Sequence, residues 1–249
     1  MRLVNINFKT DSGYRIFLSV LLVLIVMMSI SVSFVINVFK EELYLSSADA
    51  LAAEQIVVID AGHGGEDSGA IGVNGVLEKD INLDIAFEIG ALLEDAGYAV
   101  VYTRTDDRLL YKEEENIKGI RKISDLKNRC QIAENYPGAT FVSVHMNSFG
   151  SSRYSGLQVY YSPTDEQSRL LAESVQNSVR NNMQTENNRK VKSGDGIYLL
   201  ENTSGKSILI ECGFLSNQEE CEKLSQKEYQ KRLSFLIVCG IIEYIEDSN

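Results

Sequence analysis

A chain of 249 residues with 44% apolar and 24% charged residues has the composition of a folded protein. Its formal net charge of −11 argues against a nucleic-acid partner, which calls for clustered Lys and Arg. The four cysteines, Cys130, Cys212, Cys221 and Cys239, form no CxxC pair, which excludes the usual cysteine-based zinc and redox motifs. They stand in apolar or helical contexts that suit buried thiols, although an extracytoplasmic location leaves a disulfide open.

The run Ile16 to Phe39 carries no charge, Gly or Pro. As a helix it is about 36 Å long, more than the ~30 Å hydrocarbon core of a bilayer. Arg2, Lys9 and Arg15 precede it, so the positive bias places the N-terminus inside and the rest of the chain outside. Residues 1–40 therefore read as a cytoplasmic tail with an anchor. A cleaved signal peptide is the alternative, since Ala48-Asp49-Ala50 has the form of a cleavage site. Residues 41–54 read as a spacer and 55–249 as one domain.

In that domain Ile56 to Ile59 is an apolar β-branched run, expected as a buried strand. Ile81, Ile85, Ile89, Leu92, Leu93 and Ala96 recur at helical spacing, ended by Gly97. Ala99 to Thr103 is a second strand, Asp125 to Glu134 a helix, Thr140 to Val144 a third strand and Leu157 to Tyr161 a fourth. Leu171, Val175, Val179 and Met183 mark another helix. Ile197 to Leu200 and Ser207 to Ile210 are the fifth and sixth strands. A last helix runs from Ser225, with Glu228 completing a capping box, to about Ile245. Alternating strands and helices, with strands apolar on both faces, predict an α/β domain: a sheet covered by helices on both sides. The charged stretch 105–123 is a solvated face or the rim of a substrate groove.

The chain has only two histidines, His63 and His145, each expected just past the carboxyl end of a buried strand, where α/β sheets build their sites. Two imidazoles and a carboxylate make a common hydrolytic zinc set with one position left for water. Glu78, opening the helix after the Gly-rich loop, is the best third ligand. Asp60 and Asp67 are substitutes, or partners that orient an imidazole. Glu211 ends the sixth strand, where a buried carboxylate needs a partner or a task. The task is to take a proton from water and pass it to a leaving nitrogen; the alternative is an ion pair with Arg104 or Arg129. Two near-misses are excluded. Gly62-His63-Gly64-Gly65-Glu66-Asp67 fails the dinucleotide pattern at Asp67, and Gly205-Lys206-Ser207 lacks the first Gly of a phosphate loop.

Five separated segments carry a resemblance: residues 60–70 (Asp60 to Ala70), Glu78 to Leu83, Thr103-Arg104, Ser143 to Ser148, and Glu211 to Asn217. Together they resemble the zinc-dependent N-acetylmuramoyl-L-alanine amidases of the amidase_3 type over roughly residues 55–246. The resemblance implies one Zn2+ on His63, Glu78 and His145, catalysis by Glu211, and a single domain with a twisted, mixed, mostly parallel sheet of about six strands and helices on both faces. The substrate it implies is the bond between the glycan and the stem peptide of peptidoglycan. Asp60, Asn147, Arg104 and Arg129 are supporting or substrate-facing candidates. Within the family the stretch Arg121 to Arg129 is most similar to the germination-specific, spore-cortex amidases, which implies a place in cortex maturation and the forespore envelope. A vegetative cell-separation amidase is the near alternative. A silent zinc-dependent wall-binding module would not need Glu211, and a zinc carboxypeptidase would release single amino acids. An extracytoplasmic activator protein is a further expectation, because no wall-binding repeat is visible.

Overall fold

The computed structural model describes residues 18–19, 21–36, 39–40, 56–117 and 120–247. The chain divides into two units, Met1–Ala50 and Leu51–Asn249. In the first, every described residue is helical and exposed. The expected anchor, residues 16–39, falls partly outside the described residues, and among the described residues no helix is long and apolar enough to cross a membrane. The expected spacer and cleavage site lie wholly outside them.

In the second unit six strands form one sheet: β1 (Ile56–Ala61), β2 (Ala99–Tyr102), β3 (Thr140–Asn147), β4 (Gln158–Tyr161), β5 (Lys192–Ser193) and β6 (Ser207–Phe214). Their order is β2-β1-β3-β6-β4-β5. All neighbours pair in parallel except β4 and β6, which are antiparallel. Among the described residues six α-helices complete it: α1 (Glu78–Asp95), α2 (Arg121–Glu134), α3 (Glu166–Asn182), α4 (Tyr198–Asn202), α5 (Gln218–Leu224) and α6 (Lys227–Asp247). This is the mixed, mostly parallel α/β sheet expected.

Side-chain alternation sorts the core into two layers. On one face Val57, Ile59, Val142, Val144, Ile208 and Ile210 pack with apolar residues of α1, α3 and α6. On the other Val58 and Phe141 pack with Cys130 and Ala133 of α2 and Leu199 of α4. Burying a Val, Leu or Ile side chain contributes roughly 1.5–3 kcal/mol, so these two layers fix which residue of each strand reaches which face. The C-terminus of α1 closes as its sequence suggests. Gly97 takes φ +92, open to glycine without strain, and the backbone N–H groups of Gly97 and Tyr98 return to the carbonyls of Glu94 and Leu93.

Three expectations need correction. Residues 197–200 are not a strand: Tyr198–Asn202 is a short helix, and the fifth strand is Lys192–Ser193. A four-residue apolar run carries no period long enough to separate strand from buried helix. The last helix does not start from a capping box at Ser225. Ser225 is the C-cap of the unforeseen helix α5, and its hydroxyl donates back to the Cys221 carbonyl (2.7 Å). Finally β3 and β6 run past their apolar stretches, so His145 and Glu211 lie inside strands, in direct register with one another.

Candidate metal centre

β1 ends in the loop Gly62 to Leu77, which turns back to α1 and brings its first residue, Glu78, over the carboxyl edge of the sheet. Two backbone donors and an amide hold that carboxylate. Ala70 N–H donates to Oε2 (2.7 Å), while Met146 N–H (3.0 Å) and Asn82 Nδ2 (3.4 Å) donate to Oε1. Both imidazoles meet the same oxygen. His63 Nε2 lies 3.2 Å and His145 Nδ1 3.0 Å from Glu78 Oε1, with the rings 4.9 Å apart and nearly perpendicular. One donor atom from each residue fits within 4.8 Å of the others. Glu78 is 4% exposed, and the imidazoles 18% and 17%, so the group opens to solvent on the histidine side.

The loop's glycines are fixed by this crowding. A Cβ on Gly62 would stand 2.2 Å from His145 Nε2, and one on Gly69, at φ +63, would stand 2.5 Å from Glu78 Oε2. His63 itself takes φ +62, costly for a residue with a Cβ and tolerated where the surroundings impose it. Two buried arginines impose it. Arg104 donates to the carbonyls of Ala61 (2.8 Å), Gly62 (3.1 Å) and Lys79 (2.8 Å). Arg129 donates to the carbonyls of Ala61 (2.7 Å) and His63 (2.7 Å), and pairs with Asp60 (2.7 Å) and Asp125 (2.8 Å).

Charge follows burial and contact. Desolvation alone would raise the Glu78 pKa, but the imidazoles of His145 and His63 hold it well below the carboxylate range. Desolvation lowers that of His63, but Asp67 and Glu78 outweigh it and raise it to about 9. Glu211 differs: burial pushes it up to about 7, against the pull of His145 and with help from Glu78. It is half-buried, its Oε2 is covered, and no hydrogen-bond partner reaches that atom among the described residues. The alternative ion pair with Arg104 or Arg129 is absent, since Arg129 is committed to Asp60 and Asp125, and Arg104 to backbone carbonyls.

Of the remaining candidates, Asp60 is fully buried and accepts from Thr103 (2.7 Å), Ser143 (2.6 Å) and Arg129, and so touches no imidazole. Asp67 does: its Oδ2 is 2.9 Å from His63 Nδ1, close in distance although the ring N–H is not aligned with it. Asn147 ends β3, half-buried and in register with Phe214. Asn82 went unforeseen. It stands one helical turn after Glu78, inside the segment Glu78 to Leu83 that carries the resemblance, and that spacing is a signal by which it could have been found. A cavity of about 40 Å3 adjoins the group beneath His63 and His145. A larger one, about 670 Å3, lies to the side, between residues 183–189 and α5.

Two imidazoles and a carboxylate converging at the carboxyl edge of a mostly parallel sheet, beside a carboxylate with one oxygen unpartnered among the described residues, define the kind of centre a metal-dependent hydrolase uses. Residues 57–243 match the Amidase_3 family, N-acetylmuramoyl-L-alanine amidase. A germination-specific N-acetylmuramoyl-L-alanine amidase of Bacillus subtilis is 34% identical over 193 residues, covering 78% of this chain and 81% of its own. The solved structure of the CwlD amidase from Clostridioides difficile, in complex with the GerS lipoprotein, is 41% identical with a TM-score of 0.74, covering 77% of this chain and 98% of that one. The amidase AmiC2 of Nostoc punctiforme is 36% identical with a TM-score of 0.66, over 77% of this chain and 97% of its own. The chain belongs to the Amidase_3 family and is an N-acetylmuramoyl-L-alanine amidase acting on peptidoglycan.

Proposed function

We infer that His63, Glu78 and His145 hold one zinc ion and that Glu211 is the proton-transfer group of the amidase. The observation that carries this is the meeting of both imidazoles on one Glu78 oxygen beside the unpartnered Oε2 of Glu211. The donor set fits the ion. Ligands about 2.1 Å from a tetrahedral zinc stand about 3.4 Å from one another; the two imidazole contacts to Glu78 are 3.2 and 3.0 Å, and the three donor atoms together lie within 4.8 Å.

Held by His63, Glu78 and His145, a zinc ion would supply Lewis-acid chemistry to the scissile carbonyl and the attacking water. The chain's own residues do the rest. Glu211, poised near neutrality by burial, accepts the water's proton and returns it to the nitrogen of L-alanine, which leaves as a free amine with its peptide. Asp67 steadies His63, and Arg104 and Arg129 hold the loop that carries it. Asn147 is a candidate substrate contact at the open end of β3.

The biological setting is read more narrowly. The relative described as germination-specific supports a role in the spore cortex and the forespore envelope. The apolar run 16–39 supports an extracytoplasmic domain delivered on an anchor or by a signal segment. The CwlD structure holds a lipoprotein partner, which supports an extracytoplasmic activator for this chain. The test of the core reading is the purified chain with zinc and peptidoglycan. Mass spectrometry should find intact stem peptides with a free L-alanine amine. Release of single amino acids instead would make it a carboxypeptidase.

A further inference from the structure

His145, Glu211 and Gln158 are register partners on β3, β6 and β4, so their side chains form a row on one face of the sheet. The row ends at Arg189. Its Nη1 donates to Gln158 Oε1 (3.2 Å) and its Nε to the Ser155 carbonyl (2.8 Å). The guanidinium lies 4.5 Å from the centre of the Phe214 ring and 5.9 Å from that of Tyr154. Two acceptors and two rings thus fix its plane, and Nη2 has no partner among the described residues.

Arg189 also lines the cavity of about 670 Å3. Of the charges around it, Glu186 is exposed and makes no ion pair among the described residues, and Glu220 lies within reach of the Arg189 charge. Lys223, the other cation of the lining, pairs with Glu219 at 2.6 Å. Glu220 is satisfied by the backbone N–H groups of Gly156 (2.8 Å) and Phe214 (2.7 Å). Arg189 forms no ion pair among the described residues, though the chain carries an acidic excess. An immobilised, half-buried guanidinium with open N–H groups, at the mouth of a polar cavity, is built to receive a planar anion, and a carboxylate matches its fork.

We propose that this cavity is the stem-peptide subsite and that Arg189 binds a carboxylate of the peptide. The proposal rests on the amidase reading of the metal centre and adds the side from which substrate is held. The chemistry of the substrate selects the peptide. The carboxyl group of muramic acid is itself the acyl half of the bond being cut, so beside that bond the glycan has no carboxylate to offer. The peptide leaving with the L-alanine nitrogen does. The row from His145 through Glu211 to Gln158 then runs from the reacting carbonyl towards the leaving group, with Glu211 between them where it must deliver its proton.

The test uses the full zinc-loaded chain and a pair of N-acetylmuramoyl dipeptides, one ending in a free carboxylate and the other in the carboxamide. The wild type should prefer the carboxylate through KM, by about 10–100-fold for a charge-assisted fork. Arg189→Ala should lose that preference, its cost falling mainly on the carboxylate substrate through KM, and Arg189→Lys should restore part of it. Equal preference in wild type and Arg189→Ala would overturn the proposal, as would an equal loss on both substrates, which marks a structural role. A second arm titrates the free dipeptide, carboxylate against carboxamide, into both proteins by calorimetry. Tighter binding of the carboxylate by wild type alone supports the subsite, and no difference refutes it. That arm needs no turnover, so failure to cleave either muramoyl substrate counts against the amidase reading and leaves the subsite to be judged by binding.

Discussion

At the scale of single residues, Glu211 and the three metal candidates separate cleanly because their surroundings differ. Glu78 is met on its two oxygens by three N–H donors and both imidazoles, whereas no partner among the described residues reaches Oε2 of Glu211. Glu211→Gln keeps the shape and removes the proton acceptor. It should lower kcat by about 10²–10⁴-fold with zinc content unchanged by elemental analysis; near-normal turnover would assign the proton to another group. His145→Ala leaves two donors. Zinc added to wild type should raise Tm by mass action on the folded state, and the variant should lose most of that shift while retaining its secondary structure. An unchanged zinc-dependent Tm would remove His145 from the ligand set. Gly69→Ala is a sharper local probe, because its Cβ would enter the space of the Glu78 carboxylate at a backbone angle that suits glycine. Its expected signature is weaker zinc binding in a folded protein.

Among the elements, β1, the loop after it and α2 are tied by the buried pair of Arg129 and Asp60. Burial alone would raise the Asp60 pKa, but Arg129, with Ser143 and Thr103, lowers it from 3.8 to about 2. A depressed carboxylate contributes stability that is fully present above its unfolded pKa and lost as pH falls through the folded one. The loss therefore falls between about pH 4 and pH 2, and amounts to roughly 2 kcal/mol. Urea denaturation across that window should show it, and Asp60→Asn should flatten it. Arg129→Met, which strands two carboxylates in the interior, should cost about 3–5 kcal/mol; a cost below 1 kcal/mol would mean that the pair does not hold the loop. The elements themselves were legible in the sequence to unequal degrees. Strands β1, β3 and β6 announce themselves because both faces are buried and their residues are β-branched. α1 does so through a repeat of apolar positions over about four turns. Residues 197–200 and the start of α6 mislead because short apolar runs and lone Ser residues have several local solutions, and tertiary packing chooses among them. The group that could hold a metal was readable because histidine is so scarce here. Arg189 and Gln158 were not, since nothing in the sequence pairs a loop arginine with the strand beside Glu211.

For the whole molecule the question is how an acidic hydrolase is kept at its substrate. The net charge of −11 gives no attraction to an anionic wall, and the N-terminal segment or a partner is the route to proximity that we propose. The run 16–39 has the length and apolarity of a spanning segment in sequence, and three basic residues precede it against a single Asp11. Protease added to intact protoplasts expressing the chain should therefore digest residues 56–247, or that part should be recovered from the medium if the segment is cleaved. Full protection of a cell-associated protein would place the domain inside and defeat the reading. The same proximity argument bears on activity. Residues 55–249 freed from the N-terminal segment should act slowly on peptidoglycan, and an envelope extract should restore the rate if a partner supplies what the tether or zinc retention otherwise provides. Turnover by the lone, zinc-loaded domain within the ordinary range of about 1–10³ s⁻¹, with no gain from the extract, would show that the catalytic unit needs neither.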